Sequence, residues 1–160
     1  MSLCIHTATP DEYAAVAELT VAAYQPFLAD DHHYVEVLRD VGARAAEAEL
    51  LVATDEDLLG TVTYVPEGGP FGEIAGPDET EFRMLAVAPE AQGRGVGTAL
   101  LRHVLEDTRA RGRAAVVCSS LPEMRAAHHV YERLGFARLP ERDWSPVPGV
   151  DLLAFGVSLR

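Results

Sequence analysis

The chain has 160 residues, 48% hydrophobic and 24% charged, ordinary values for a single soluble globular domain spanning residues 1–160. A formal net charge of −12 argues against a nucleic-acid partner, which needs a basic face; it weakly favours a cationic substrate, although acidic surfaces more often serve solubility. No apolar run approaches the ~18 residues of a membrane span, and "MSLCIHTATP" lacks a basic segment followed by an apolar one, so the chain reads as cytoplasmic with no membrane partner.

In chain order, "SLCIHTA" reads as a short strand. "TPDE" then places Thr9 as N-cap, Pro10 in the first helical position and Glu12 as capping-box partner. Tyr13, Val16, Ala17, Thr20 and Tyr24 follow at helical spacing. A second helix is expected from Asp30 or Asp31, with Tyr34, Leu38, Val41 and Ala45 on one face. "ELLVAT" and "LLGTVTYV" read as strands joined by the turn "DED". The Gly- and Pro-rich stretch from Pro66 to Asp78 is long for a compact domain, a common mark of a binding loop.

"EFRMLAVA" reads as a strand placing Glu81, Arg83, Leu85 and Val87 on one face. A helix with Val96, Leu100, Leu101, Val104 and Leu105 follows, stopping near Gly112; "AAVVCSS" is another strand. "SLPE" predicts a second capping box, Ser120 to Glu123, opening a helix with the stripe Met124, Ala127, Tyr131 and Leu134. Gly135 stands where a helix-ending glycine belongs, with Phe136 supplying the apolar contact. "GFARL" and "VDLLAFGVSL" close the chain as strands. The order β-α-α-β-β-β-α-β-α-β-β predicts one α/β domain with a mixed sheet, antiparallel in part.

Three glycines, Gly93, Gly95 and Gly97, weaken the start of one of the better helices by up to about 1 kcal/mol each relative to alanine. A helix N-terminus carries unpaired N–H groups and partial positive charge, and glycine lets a phosphate approach them without a Cβ in the way. The plainer reading is a tight strand-to-helix turn. The dinucleotide fingerprint would need a third glycine where Thr98 stands. The P-loop needs a lysine, and the chain contains neither lysine nor asparagine. A lysine Schiff base is excluded for the same reason. Cys4 and Cys118, inside apolar runs without CxxC spacing, read as reduced core residues.

The stretch "EFRMLAVAPEAQGRGVGTALL", followed by "AAVVCSS" and "MRAAHHVYERLGF", resembles the Gcn5-related N-acetyltransferase (GNAT) family. Gln92, Gly95 and Gly97 match its Gln/Arg-x-x-Gly-x-Gly/Ala pattern, and Tyr131, Gly135 and Phe136 its Tyr-x-x-x-Gly-Phe ending. The resemblance implies a mixed sheet with helices on both faces, splayed central strands, and acetyl-CoA as co-substrate. It implies that the turn Gln92, Gly93, Arg94, Gly95, Val96, Gly97 and Thr98 holds the pyrophosphate. Leu85, Ala86 and Val87 would line the pantetheine arm, with the Leu85 N–H polarising the thioester carbonyl.

The resemblance further implies Tyr131 as the general acid near the sulfur, and Glu81 as the base of the histone-acetyltransferase branch. Tyr131 also reads as a core tyrosine, and Glu81 as a structural charge, paired with Arg83 or held by outside partners. Met124 departs from the family, which commonly has an asparagine there bonding the cofactor. His128 reads chiefly as packing and His129 as solvent-facing. His32 and His33 beside Asp30 and Asp31 lack metal-ligand spacing, so no metal is expected. The leading expectation is direct acetyl transfer to a primary amine through a tetrahedral intermediate. The alternative is a non-catalytic acyl-CoA-binding regulatory module. Small-molecule amines come first as acceptors, peptide N-termini second and lysine side chains third; a homodimer is compatible with the fold.

Overall fold

In a computed structural model, residues 2–28 and 32–160 are described, His32 by its backbone alone. Eight strands form the sheet: β1 (Cys4–Thr7), β2 (Glu49–Asp55), β3 (Asp57–Val65), β4 (Glu79–Val87), β5 (Ala115–Ser120), β6 (Ala137–Arg138), β7 (Trp144–Val147) and β8 (Val150–Ser158). Their order is β1-β2-β3-β4-β5-β8-β6, with β7 paired to β8 off this path. β4 and β5 run parallel; the other pairs are antiparallel. The helices are α1 (Tyr13–Tyr24), α2 (His32–Arg39), α3 (Val41–Glu47), α4 (Val96–Ala110) and α5 (Arg125–Arg133).

The apolar periodicities decide which faces are covered. Leu100, Leu101 and Val104 of α4 and Tyr131 of α5 pack on Val62, Tyr64, Phe82 and Phe155. On the opposite face Val16 of α1 and Val41 of α3 cover Leu50 and Val52, while Val21 and Leu38 meet Met84. Helices therefore cover both faces. The strands β4 and β5 pair only at Glu79–Glu81 with Ala115–Val117 and diverge beyond, giving the expected splay.

Local signals explain most boundaries. The Glu12 carboxylate accepts the Thr9 N–H at 2.9 Å, closing the first capping box. At the end of α5, Phe136 N–H donates to Tyr131 C=O and Gly135 N–H to Glu132 C=O, both at 3.0 Å. With Gly135 at φ +90°, this is a Schellman ending, which satisfies carbonyls the helix leaves orphaned.

Four expectations need correction. The single second helix is two. Asp40 accepts the Ala43 N–H at 3.2 Å and caps α3, and the fully buried Arg44 reaches back to the Leu38 and Val37 carbonyls, at 2.7 and 3.2 Å, to satisfy the end of α2. The start expected at Asp30 or Asp31 lies outside the described residues. The second capping box does not form: α5 begins at Arg125, and the Ser120 hydroxyl meets His128 Nε2 at 3.1 Å instead. The strand β7 was unanticipated.

The fourth correction concerns β4. Thr63 pairs with Arg83 and Thr61 with Ala86, so Met84 and Leu85 together oppose the single Val62. Met84 has φ +56°. This bulge interrupts the alternation. Glu81 and Arg83 stay on one face, while Leu85 and Val87 turn to the face that carries α4.

Gly60 shows how tightly β3 meets the start of α4. A Cβ there would lie 2.7 Å from Val96 Cγ1 and 3.2 Å from the Ala86 carbonyl oxygen. Gly60→Ala should cost about 1–3 kcal/mol, because a β-branched helical side chain has little freedom to move aside. A lower midpoint with unchanged slope in denaturant unfolding checks this.

Candidate active site

Two cavities open along the splayed strands, and both include Phe27 and Met124 in their walls. The larger, about 600 Å³, is bounded by Leu85, Ala86 and Val87 of β4, by the turn into α4, and by the facing side of α5. Gly93 and Gly95 in that turn have φ of +78° and +83°, a left-handed backbone that other residues adopt at a cost. Two of the three glycines therefore serve the turn itself. Gly97 lies inside the first turn of α4, where a Cβ would meet Val87, Val130 and Leu85 side chains at ordinary contact.

Gly95 occupies the N-cap position of α4, and no side chain caps the helix. The N–H groups of its first turn thus face a cavity lined by Gly93, Gly95, Val96, Gly97 and Thr98. Uncapped amides beside residues without bulk fit a phosphate-bearing ligand, acetyl-CoA included. Gln92 also lines this cavity, whereas the exposed Arg94 is not in its wall. His129, exposed as expected, stands at the rim.

Met124 contributes a thioether to the walls of both the larger cavity and the smaller one, which measures about 390 Å³. The end of α1 and α2 supply Tyr24 and Tyr34 to the smaller cavity, β4 supplies Arg83 and Met84, and the β7–β8 hairpin supplies Val147 and Leu152. From the loop after β3 comes Glu73, whose Oε1 lies 3.0 Å from Arg83 Nε. Burial raises the Glu73 carboxyl above its ordinary range, with Arg83 opposing and Glu81 adding to the shift. Neither Glu73 nor the hairpin was singled out from sequence. The loop carrying Glu73 was flagged by its length, but nothing distinguishes one glutamate within it.

Glu81 lies elsewhere. It is fully buried, and its Oε1 accepts the N–H groups of Glu73, Ile74 and Ala75 at 2.9, 3.0 and 3.1 Å. It lines neither cavity. The loop after β3 folds over the Glu81 carboxylate, which holds three of its N–H groups. Arg83, by contrast, does reach the cleft.

Tyr131 is 4% exposed, inside a ring cluster with Phe82 at 5.6 Å, Phe155 at 5.2 Å and Phe136 at 5.8 Å between centroids. Its hydroxyl neighbours are Ser120 and Cys118; Ser120 lines the smaller cavity, while Tyr131 itself, one layer behind, lines neither. Burial pushes the tyrosine hydroxyl well above its usual range, so it remains protonated at neutral pH. His128 stacks on Phe155 at 4.9 Å, and desolvation lowers its basicity. Cys118 is buried as expected of a core residue, whereas Cys4, on the edge strand β1, is exposed and corrects that expectation; both are free thiols. Among the described residues no cluster of metal-ligating side chains occurs, and no helix is long and apolar enough to cross a membrane.

A sequence profile described as "Acetyltransferase (GNAT) family" matches residues 13–136. Among curated proteins, mycothiol acetyltransferase of Cellulomonas flavigena is 38% identical over 96 residues, 56% of this chain. The chain spans 26% of that relative's length. A solved GNAT-family acetyltransferase from Staphylococcus aureus superposes with a TM-score of 0.77 at 12% identity, covering 99% of this chain and 100% of the other. A suspected acetyltransferase from Salmonella typhimurium, solved with its cofactor acetyl-CoA, superposes with a TM-score of 0.71 at 21% identity, covering 100% and 95%. These structural likenesses speak to the fold.

Proposed function

The chain belongs to the acetyltransferase (GNAT) family, and on that premise we propose that it moves the acetyl group of acetyl-CoA to the primary amine of a small molecule. The observation that carries this reading is that two cavities on the splayed strands share Phe27 and Met124 in their walls. One offers uncapped helix amides, suited to a pyrophosphate. The other offers an apolar chamber with one carboxylate, suited to an amine. Acetyl-CoA supplies the activated acetyl group; everything else is positioning and proton traffic by this chain.

In this reading the amides of Gly93 to Thr98 bind the pyrophosphate, with the Thr98 hydroxyl adding a donor and Gln92 and Arg94 flanking the turn. Backbone groups of Leu85, Ala86 and Val87, facing the gap between β4 and β5, hold the pantetheine arm. The bulge leaves Leu85 outside the ladder with β3, which supports a free N–H there for the thioester carbonyl. The ammonium first loses one proton to water and attacks as the free amine; Tyr131, whose hydroxyl burial keeps protonated, gives the departing thiolate its proton, and the proton shed by the nitrogen of the tetrahedral adduct restores the tyrosine.

For Glu81 we assign the anchoring role rather than the base, because three backbone donors converge on one of its oxygens. Glu81→Gln preserves an acceptor at that point, so kcat/KM should stay within about threefold of the parent, acid limb included. Glu81→Ala should cost on the order of 3 kcal/mol by leaving the loop's N–H groups without their partner. Denaturant unfolding and a pH–rate profile check the pair. A vanished acid limb in Glu81→Gln would restore the base role.

Acetyl transfer itself is tested by thiol release from acetyl-CoA with pooled primary amines, the product identified by mass spectrometry. Tight acetyl-CoA binding without thiol release for any amine would favour the non-catalytic acyl-CoA-binding module.

A further inference from the structure

Resting on the acetyl-transfer reading, we propose that the acceptor is a small monocationic amine carried on an apolar, ring-sized body, docked in the smaller cavity with its ammonium on Glu73. Size sets the first limit. A cavity of about 390 Å³ sits near the bottom of the roughly 300–1,000 Å³ spanned by ligand pockets, too small for an oligosaccharide or a folded peptide segment. Its wall sets the second. Tyr24 and Tyr34, with ring centroids 6.5 Å apart, stand on the side of α1 and α2. Val37, Leu121, Val150 and Leu152 contribute aliphatic surface. The wall also holds His33, Ser119 and Ser120, but the two serine hydroxyls already meet Trp144 Nε1 and His128 Nε2, so the apolar groups favour a ligand body with few hydrogen-bonding needs, since a buried polar group left unpaired costs roughly 1–3 kcal/mol.

Charge sets the third limit. Two residues of the described wall carry formal charge, Glu73 and Arg83. The Arg83 guanidinium is already engaged: its Nε lies 3.0 Å from Glu73, its Nη1 donates to the Phe71 carbonyl at 3.3 Å, and it stacks 5.9 Å from the Phe71 ring centroid. A carboxylate on the ligand would have to displace these contacts and would meet Glu73. An ammonium meets Glu73 favourably and leaves Arg83 in place. Among the described residues Arg83 is the one ion-pair partner of Glu73, so the carboxylate has capacity for a second cation. The net charge of −12 draws cations rather than anions towards the molecule. Met124, in the wall of both cavities, presents an apolar side chain to each, which an amide there would not.

The test is a panel of amines at saturating acetyl-CoA: 2-phenylethylamine, 3-methylbutylamine, L-phenylalanine, spermidine and a tetrapeptide with a free N-terminus. The two apolar amines should exceed the other three in kcat/KM by at least 100-fold. Glu73→Gln should raise KM for 2-phenylethylamine about tenfold with kcat within threefold, while the acetyl-CoA dissociation constant, measured by calorimetry, stays unchanged. Should Glu73→Gln not fold, Leu152→Ser carries the test, lowering kcat/KM for 2-phenylethylamine about tenfold with the same unchanged calorimetric value. A best acceptor that is zwitterionic, polycationic or peptidic overturns the proposal and leaves acetyl transfer standing. So does an unchanged KM in Glu73→Gln. Failure of the parent protein to bind acetyl-CoA removes both the proposal and the reading beneath it.

Discussion

Tyr131→Phe should lower kcat by about 10²–10⁴-fold, the usual loss when a general acid is removed, while leaving the fold as stable as before to within about 1 kcal/mol. The ring would keep its neighbours Phe82, Phe136 and Phe155, so only the hydroxyl disappears from beside Ser120 and Cys118. Steady-state rates with chemistry limiting, together with thermal unfolding, check both halves. The pH dependence has a definite sign. An acid must be protonated to act, so activity is lost as pH rises through its pKa; burial raises that pKa, which moves the limb upward. The parent should show no alkaline limb from this tyrosine below about pH 10, the ordinary value for the side chain. A loss under threefold in Tyr131→Phe would return the residue to the core alone.

Gly95→Glu should abolish measurable acetyl-CoA binding, a loss of at least about 100-fold in calorimetry. The position combines φ +83° with open space around the would-be Cβ, so the variant carries a backbone strain of roughly 1–2 kcal/mol but no clash. Its carboxylate would stand at the N-terminus of α4, where it takes the place of the pyrophosphate on the helix amides and repels the ligand's charge. Circular dichroism should be unchanged. Gly95→Ala carries the same strain without the charge, and its binding should fall much less. Parent-like binding in Gly95→Glu would overturn the assignment of the turn to the cofactor.

What could be read in the sequence were features with a local cause. The first capping box, the uncapped glycine turn before Val96 and the Gly135 ending depend on residues a few positions apart, and each stands in the structure where its spacing put it. The features that escaped depend on contacts between distant segments. Arg44 ends α2 by reaching back to carbonyls six and seven residues earlier, and periodicity alone continues the helix through Asp40. The strand β7 contains Pro146 and precedes Pro148 and Gly149, so its composition reads as loop; pairing with β8 makes it a strand. Glu73 stands in the wall of the smaller cavity because the loop fold brings it beside Arg83. Glu81 was legible as a residue of consequence, but its partners are backbone N–H groups, which no side-chain pattern advertises.

The bulge at Met84 divides one strand between two tasks. Arg83 and Met84 belong to the smaller cavity, and Leu85 to Val87 belong to the larger. Since side chains on a strand alternate, a regular pleat would send Arg83 and Leu85 to the same side. The extra residue acts as a phase shifter, letting a continuous segment address opposite sides of the sheet. The two halves are therefore independently variable: residues before the shift can change with the smaller cavity while those after it keep the wall of the larger. Chain length at this point is the quantity under constraint. Deleting one residue here would exchange inside for outside along the rest of the strand, so natural variation in this stretch should proceed by substitution, with its length held fixed.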